Sequence, residues 1–261
     1  MTALFPPAFV ISLPGETARR EKIRRDFTQL QIPFVFFDAI DGRQLDVHTH
    51  PAYDGPRRRR AAGKDLMGGE IGCLLSHKAV LQKVIASNYP SALIFEDDVV
   101  LNPDFKNVVA ALAGQGTSFD IVRFLGSPKV AKGRHRKIAP LYRDYHLVRL
   151  ARTHGGAHAY LITKQGAEKL LGHMKKNAFP IDILLCRTWE TGLETLSVQP
   201  GLATQDLSFK SSIGTEREKK QKAPVLTRAL FKAGEAIGKR WSYWSAVPRD
   251  TLLKARFSGN S

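Results

Sequence analysis

The sequence predicts an α/β fold in which helices flank a central mixed sheet. Apolar runs of strand length alternate with stretches of helical periodicity from residue 8 to about residue 200, without an internal repeat. The chain has 261 residues, 43% of them hydrophobic, which is enough for one large domain with a substantial core. The regular pattern fades after about Pro200, so we expect a C-terminal extension of different character.

The first elements form a predicted βαβ unit. Residues 8–13 are a continuous apolar run, residues 17–31 repeat apolar side chains on one helical face, and residues 33–37 form a second strand before the turn sequence DAIDG. Residues 46–67 contain two prolines, a YDGP turn and four consecutive arginines. This composition predicts a mobile loop.

The middle of the chain contains the clearest helix and an abrupt change of polarity. Residues 70–87 repeat apolar side chains at helical spacing, and the apolar run 92–95 stops at three carboxylates, Glu96, Asp97 and Asp98. The next helix is predicted to begin at Pro103 and to end near residue 114. Further strands are predicted at 119–125, 147–150 and 157–163, and further helices at 166–176 and 181–191.

The three carboxylates are the main functional candidates. Ligands of open α/β sheets bind outside the carboxyl ends of strands, and carboxylate oxygens are the ligands that Mg²⁺ and Mn²⁺ prefer. Successive side chains of a strand point to opposite faces, so Glu96 and Asp98 are the better pair for one ion and Asp97 is separate from them. The alternative is that the cluster is a solvated turn or the cap of the following helix.

The net charge of +16 predicts an anionic partner or anionic surroundings without naming the anion. A nonenzymatic nucleic-acid-binding protein is therefore the alternative from another functional class, although no nucleic-acid-binding motif accompanies the charge and no nucleic acid is expected as a partner. The two cysteines, Cys73 and Cys186, lack metal-ligand spacing and are too few for a disulfide framework, which favours a reducing compartment. No signal peptide or apolar stretch of membrane-spanning length is recognisable, so we expect a cytoplasmic protein.

Several segments also resemble a known family. Residues 68–101 are GGEIGCLLSHKAVLQKVIASNYPSALIFEDDVVL, accompanied by FVISLPGETARREKI, DAIDG, GGAHAYLITKQGAEKLL and PIDILLC. In this order, from residue 8 to about residue 213, they resemble glycosyltransferase family 25, the lipooligosaccharide-type galactosyltransferases and their relatives. The resemblance implies a GT-A fold, a nucleotide-sugar donor that is usually a UDP-hexose, Mn²⁺ at the aspartate-rich motif and inversion at the anomeric carbon. It also favours galactose as the sugar, by family habit, and a lipopolysaccharide or other cell-surface glycan as the acceptor.

The resemblance also assigns residues to the donor site. Glu96, Asp97 and Asp98 match the metal motif, and Asp98 takes the position expected to touch the ion. The N-terminal donor segment matches at the residues Ser12, Leu13, Pro14, Arg19 and Arg20, although the family more often has asparagine where this chain has Ser12.

Histidines are further candidate ligands of the metal ion. Family relatives can draw a metal-binding histidine from a late segment, but none follows His173 in this chain. His154 and His158 are the nearest candidates, with a packed or hydrogen-bonded role as the alternative. His77 shares a helical face with Cys73, so we expect it to be buried beside the donor site and to order the metal loop through hydrogen bonds.

An inverting transfer needs a base that takes the proton of the acceptor hydroxyl. Asp182 is the candidate, because it follows Pro180 at the predicted start of a helix and lies in the matching segment of the family. The alternative is a simple helix cap, and Glu190 is the reserve. Residues 129–137 contain five Lys or Arg and no acid, which suits a loop that closes over phosphate or an exposed, solvated charge run.

The sequence divides into a catalytic domain at residues 1–213 and a basic amphipathic segment at 214–261. Residues 216–261 contain eleven Lys or Arg and four acids, which gives a net charge of +7. Apolar side chains recur there at helical spacing and end in interfacial aromatics, which predicts peripheral attachment to the anionic inner face of a bacterial inner membrane, where a lipid-linked acceptor would lie. The alternative is that this apolar stripe packs on the catalytic domain.

Overall fold

The computed structural model of the chain describes residues 5–113, 119–209 and 225–258. Its centre is an eight-stranded mixed sheet, and a smaller two-stranded sheet lies beside it. The strands are β1 (Ala8–Ser12), β2 (Val35–Asp38), β3 (Ser91–Glu96), β4 (Val99–Leu101), β5 (Ile121–Arg123), β6 (His135–Tyr142), β7 (Tyr145–Leu150), β8 (Ala159–Thr163), β9 (Thr195–Gln199) and β10 (Ala203–Gln205).

Helices alternate with these strands along the chain, as the sequence predicts. They are α1 (Thr17–Gln29), α2 (Gly55–Ala62), α3 (Gly68–Ala86), α4 (Phe105–Ala113), α5 (Pro128–Ala131), α6 (Lys164–His173), α7 (Ile181–Leu184), α8 (Thr188–Thr191), α9 (Val225–Ser245) and α10 (Val247–Ser258). The predicted α/β architecture with a mixed sheet flanked by helices is confirmed.

The order of the large sheet is β2-β1-β3-β8-β5-β9-β7-β6. Strands β2, β1 and β3 run parallel, and β8 is antiparallel to both of its neighbours. Because β1 and β3 are parallel and pair Ile11 with Glu96, the segments that follow them leave the same edge of the sheet. This topology places Ser12 and the three carboxylates side by side.

Helices cover both faces of the sheet because the central strands are apolar on both sides. In β3, Leu93 and Phe95 pack with α1 and α4, whereas Ala92 and Ile94 pack with α3, α6 and α7. The continuous apolar run before the carboxylates is therefore a strand buried on both faces, and it fixes where its polar end emerges.

The mobile loop predicted at residues 46–67 is wrong in its centre, where α2 forms. Asp54 accepts a hydrogen bond from the Arg57 backbone N–H and caps the helix, and Gly63 ends it with a φ of 71°. Repulsion between the arginines does not prevent helix formation, because Arg57 forms an ion pair with Glu190 and Arg59 forms one with Asp65. Ion pairs with residues outside α2 thus stabilise this helix, although its run of arginines hides the helical pattern in the sequence.

Two other predicted elements also differ. The single helix expected at 181–191 is the two short helices α7 and α8, and the basic segment 129–137 is α5 followed by the start of β6 rather than a loop. Strand β6 is at the edge of the sheet and pairs only with β7 among the described strands, and its charged side chains hide the strand pattern: Lys137 is exposed, and Arg136 binds Asp250 of α10.

The C-terminal helices pack on the body of the protein. Helix α9 contacts α2 and α8, and α10 contacts β6. In α10, the buried Asp250 accepts hydrogen bonds from Arg149 of β7 and Arg136 of β6. No helix among the described residues is long and apolar enough to cross a membrane. The start of the predicted C-terminal segment, at residue 214, lies outside the described residues.

Candidate active site at the carboxyl ends of β1 and β3

A cavity of about 300 Å³ opens at the edge of the sheet where β1 and β3 end. Of the residues that the sequence assigns to the site, seven line it: Ser12, Leu13, Arg19, His77, Glu96, Asp97 and Asp98. Pro14, Arg20 and Asp182 are not part of its lining. The topology therefore gathers most of the predicted donor and metal residues around one opening.

Asp97 is held by the N-terminal donor segment. Its carboxylate accepts a hydrogen bond of 2.7 Å from Ser12 Oγ and one of 2.8 Å from Arg19 Nη1, and its side chain is nearly buried. The Arg19 guanidinium also lies over the ring of Phe209. Asp97 thus connects β1 and α1 to the carboxylate turn, which consists of Glu96, Asp97 and Asp98 after β3. The negative charge of Asp97 is compensated by Arg19.

Arg20 braces the same turn from outside the cavity. It donates to the Ser12 carbonyl oxygen at 2.8 Å and to Asp38 Oδ1 at 2.5 Å, and it therefore joins the ends of β1 and β2. Through these hydrogen bonds Arg20 helps to fix the position of Ser12.

Glu96 is anchored by the buried His77, whose predicted burial is confirmed. His77 Nε2 lies 3.3 Å from Glu96 Oε1, and His77 Nδ1 lies 2.8 Å from the Tyr160 hydroxyl. Burial alone would raise the pKa of Glu96, but the hydrogen bond and charge of His77 lower it below its ordinary value. Glu96 is therefore an ionised carboxylate in a fixed position.

Asp98 is the carboxylate with the least compensation. Its Oδ1 atom is buried without a hydrogen-bond partner, while Oδ2 accepts a bond of 3.2 Å from Gln205. Burial, followed by the charges of Glu96 and Asp97, raises the pKa of Asp98 to about 7. A divalent cation beside Asp98 would offset this accumulation of negative charge.

Two groups of possible metal ligands lie at this site. Single donor atoms of Cys73, His77 and Glu96 lie within 4.8 Å of one another. Burial raises the pKa of the Cys73 thiol well above its ordinary value, so a metal ion bound there would have to displace its proton. The carboxylates of Glu96 and Asp98 line the same cavity and offer oxygen ligands of the kind that Mn²⁺ and Mg²⁺ prefer.

Asp182 lies in the first turn of α7 and outside this cavity's lining. Its Oδ1 atom accepts a hydrogen bond of 2.8 Å from the Ile183 backbone N–H. Burial raises the pKa of Asp182 and the charge of Glu96 raises it further, while the Arg123 charge and backbone N–H groups oppose the shift. A side chain at Gly155 would place its Cβ 2.7 Å from Asp182 Oδ2, so this glycine leaves room for the carboxylate.

The other sequence candidates occupy structural positions. Glu190, the reserve base, accepts hydrogen bonds from Arg187 and Arg57. His158 is buried, and its Nε2 atom lies 3.1 Å from the Ala203 carbonyl oxygen. Its own carbonyl oxygen accepts a hydrogen bond from the Glu96 N–H, which fixes the end of β3.

Sequence reasoning missed the far wall of the cavity. Gln205, Asp206, Leu207 and Phe209 form this wall, at and beyond the end of β10. The Asp206 N–H donates to the Asp98 carbonyl oxygen at 2.7 Å. No periodic signal marks these residues, because β10 has only three residues and the chain beyond it is irregular.

Comparison with known proteins matches residues 5–185 to the family model described as glycosyltransferase family 25 (LPS biosynthesis protein). Among curated relatives, lipooligosaccharide biosynthesis protein lic2B of Haemophilus influenzae is 29% identical over 247 residues, which cover 87% of this chain and 90% of the relative.

Animal relatives are longer proteins. Inactive glycosyltransferase 25 family member 3 of Homo sapiens is 28% identical over 76% of this chain and 36% of its own length. Procollagen galactosyltransferase 1 of Danio rerio is 27% identical over 69% of this chain and 31% of its own length. The chain thus spans about a third of these two relatives.

Among solved structures, the crystal structure of A197 from STIV matches with a TM-score of 0.40 and 13% identity, over 80% of this chain and 87% of that one. The family match covers more than half of the chain and includes both β1 and the carboxylate turn. This chain belongs to glycosyltransferase family 25.

Proposed function

We propose that this chain is an inverting glycosyltransferase of the GT-A type that moves a hexose, galactose, from a UDP-sugar to a hydroxyl of lipopolysaccharide or another bacterial cell-surface glycan. The observation that carries the proposal is the carboxylate turn in the cavity, where Glu96 is fixed by His77 and Asp98 keeps a buried oxygen without a partner. The names of lic2B and of procollagen galactosyltransferase 1 support the acceptor class and the sugar.

The cavity has separate groups for the parts of a nucleotide sugar. Glu96 and Asp98 would hold Mn²⁺ or Mg²⁺, which when bound supplies positive charge that stabilises the departing diphosphate. Arg19 and Arg43 also line the cavity, where they form ion pairs with Asp97 and Asp41, and their N–H groups are available as additional donors to phosphate oxygens. Leu13 and Ile40 offer apolar surface for the base of the nucleotide.

Asp182 is the proposed base. It takes the proton of the acceptor hydroxyl at a carboxylate oxygen while that hydroxyl attacks the anomeric carbon from the side opposite the diphosphate. Its raised pKa makes it a stronger base than an exposed aspartate, and the hydrogen bond from the Ile183 N–H fixes its orientation.

The test is transfer and hydrolysis of UDP-sugars, measured with Mn²⁺ and after chelation, on the wild-type protein and on Asp98→Asn. The matched control is Asp144→Asn, which makes the same chemical change at an exposed turn. We expect UDP release with Mn²⁺ from the wild type and the control only. Relatives named inactive make a catalytically silent protein the alternative, and absence of UDP release with every hexose donor would favour it.

Membrane association forms a second part of the proposal, supported by helix α9. Glu235, Gly238 and Phe231 face the body of the protein, with Glu235 bound to Arg187, Gly238 against Trp189 and Phe231 stacked on Phe179. Four other large apolar side chains are exposed: Leu230, Ile237, Trp241 and Trp244. The helix therefore packs on the catalytic body and still presents an apolar stripe outward, which suits the surface of an anionic inner membrane.

A further inference from the structure

A second cavity, of about 340 Å³, lies where β5, β7 and β9 meet α9. Among the described residues its lining includes five basic side chains and no carboxylate: Arg123, Arg149, Arg152, His154 and Lys239. The donor-site residues Glu96, Asp97 and Asp98 belong to the first cavity and are absent from the lining of the second. The chain thus has a separate basic cavity that the proposed donor site does not use.

Two of the basic groups are already paired with carboxylates. Arg149 forms ion pairs with Asp250 and Glu194, and Lys239 lies 3.8 Å from Glu235. Their charges are largely compensated within the protein. The positive charge available to a ligand therefore comes from Arg123 and Arg152, because burial lowers the pKa of His154 and keeps its imidazole neutral.

Arg123 is the most informative of these groups. It is only 3% exposed, its Nε atom has no hydrogen-bond partner, and its Nη2 atom donates to the Gly156 carbonyl oxygen at 2.5 Å. No carboxylate in residues 5–113, 119–209 or 225–258 forms an ion pair with it. Burial lowers the pKa of Arg123, although the charges of Cys186 and Asp182 oppose this shift. A bound oxyanion would compensate the buried guanidinium directly.

Other groups around Arg123 extend the same site. The Thr195 hydroxyl also lines the cavity and is buried without a hydrogen-bond partner. Arg152 is exposed at the rim, so it is free to turn toward an anion. His154 lines the same cavity as Arg123 and Arg152, and burial followed by the charges of these two arginines lowers its pKa.

The cavity is also placed to serve the reaction. Glu96, which lines the donor cavity, raises the pKa of Asp182, and Arg123, which lines the second cavity, lowers it, so Asp182 is close enough to both cavities to respond to their charges. Arg123 donates to Gly156, and the neighbouring Gly155 lies against the Asp182 carboxylate. A ligand anchored at Arg123 would extend toward the proposed base.

We propose that the second cavity binds a phosphate ester or carboxylate of the acceptor glycan, so that Arg123 and Arg152 anchor an anionic acceptor with its hydroxyl directed to Asp182. This inference rests on the proposed glycosyltransferase function. It assigns an anionic substrate class to the acceptor and a specificity role to residues outside the donor site.

The test is titration of the full-length protein with inorganic phosphate and, separately, with acetate, in the presence of saturating UDP and Mn²⁺ that occupy the donor cavity. Binding is measured by calorimetry. We compare the wild type with Arg123→Met, Arg152→Ala and the control Arg143→Ala, which removes the same charge from an exposed residue paired with Asp104. The expected result is phosphate binding that is at least tenfold weaker in Arg123→Met and Arg152→Ala and unchanged in the control.

The outcomes are separable. Equal phosphate affinity in all four proteins, or no binding to the wild type, overturns the proposal. Should Arg123→Met fail to fold, Arg152→Ala decides the question alone. Stronger binding of phosphate than of acetate assigns the site to a phosphate ester, and the reverse assigns it to a carboxylate. UDP-sugar hydrolysis by the same samples tests the proposed function independently, because hydrolysis to water needs no acceptor site.

Discussion

Three consecutive carboxylates of this chain lie in three different environments. Asp97 is compensated by Arg19, Glu96 is fixed by His77, and Asp98 retains an unpartnered oxygen. Strand alternation separates Asp97 from the other two in the sequence, but it does not reveal which carboxylate lacks compensation. That difference depends on partners that lie far away in the sequence and meet only in the fold.

The first prediction concerns the conflict between function and stability at Asp98. Its pKa is raised from 3.8 to about 7, so the folded protein binds a proton between these values that the unfolded chain has lost. Stability therefore falls as pH rises from about 4 to about 7. In chelator at pH 8, Asp98→Asn should raise the free energy of unfolding by about 1–2 kcal/mol, less than the full shift implies because the side chain is partly exposed.

The same substitution should abolish Mn²⁺-dependent UDP release, since an amide is a poor substitute for a metal-binding carboxylate. Denaturant unfolding at pH 8 and at pH 4 measures the stability part, and the gain should disappear at pH 4. A mutant that is both less stable at pH 8 and fully active would show that Asp98 is neither strained nor metal-binding.

The second prediction is that the ionisation of Asp182 sets the acidic side of the pH profile of sugar transfer. Burial raises its pKa, and a base must be ionised, so kcat/KM should fall as pH decreases through a value above the ordinary 3.8 of aspartate. Asp182→Asn should lower kcat by about 10²- to 10⁴-fold and leave UDP-sugar binding intact. The measurement is the pH profile of transfer together with donor affinity. Wild-type turnover by Asp182→Asn would identify the residue as a helix cap only.

At the scale of secondary structure, burial explains which elements the sequence could predict. Strand β3 and helix α3 are apolar on the faces that pack, so their patterns are visible and their predicted positions agree with the structure. Helix α2 and strand β6 were missed because their arginines and lysines dominate the pattern. These charges find partners elsewhere, such as Glu190 for Arg57 and Asp250 for Arg136, and no local pattern records such pairs.

The third prediction concerns the attachment of α10 to the sheet. Asp250 is 1% exposed and accepts hydrogen bonds from Arg149 and Arg136 on neighbouring strands. Asp250→Ala would leave Arg149 with its remaining partner Glu194 and would remove the shared carboxylate, at a cost of about 3–5 kcal/mol. The exposed Asp144→Ala is the matched control, with an expected change below about 0.5 kcal/mol. Urea denaturation measures both, and equal midpoints would mean that α10 contributes little to the fold.

At the scale of the whole molecule, helix α9 connects the basic cavity to the exposed apolar stripe. Lys239 and Tyr243 of α9 line the basic cavity, whereas Ile237 and Trp241 of the same helix are exposed. A membrane that bound the exposed apolar side chains of α9 would therefore bring the basic cavity close to lipid-linked acceptors. The sequence predicted an amphipathic basic helix here, but only the fold distinguishes its packed face from its exposed one.

The last prediction is that this exposed stripe binds anionic membranes. Ile237 is 70% exposed and Trp241 72% exposed, and Lys232 and Arg240 are exposed on the same helix. Each basic residue near an anionic surface contributes about 1 kcal/mol, and the apolar side chains add burial in the interface. The full-length protein should co-sediment with phosphatidylglycerol vesicles at low salt and less at high salt. The double variant Ile237→Ser and Trp241→Ser should lose most of this binding.

Full-length variants are preferable to truncation in this experiment, because removal of α9 and α10 would also remove Asp250 from between β6 and β7. Tyr89→Ser is the control, since Tyr89 is an exposed aromatic residue in the connection between α3 and β3. It should sediment like the wild type. If the double variant and the wild type bind vesicles equally, or if neither binds, the stripe on α9 does not anchor the protein. Loss of vesicle binding with unchanged UDP-sugar hydrolysis would instead separate membrane attachment from catalysis, because no described residue of α9 lines the donor cavity.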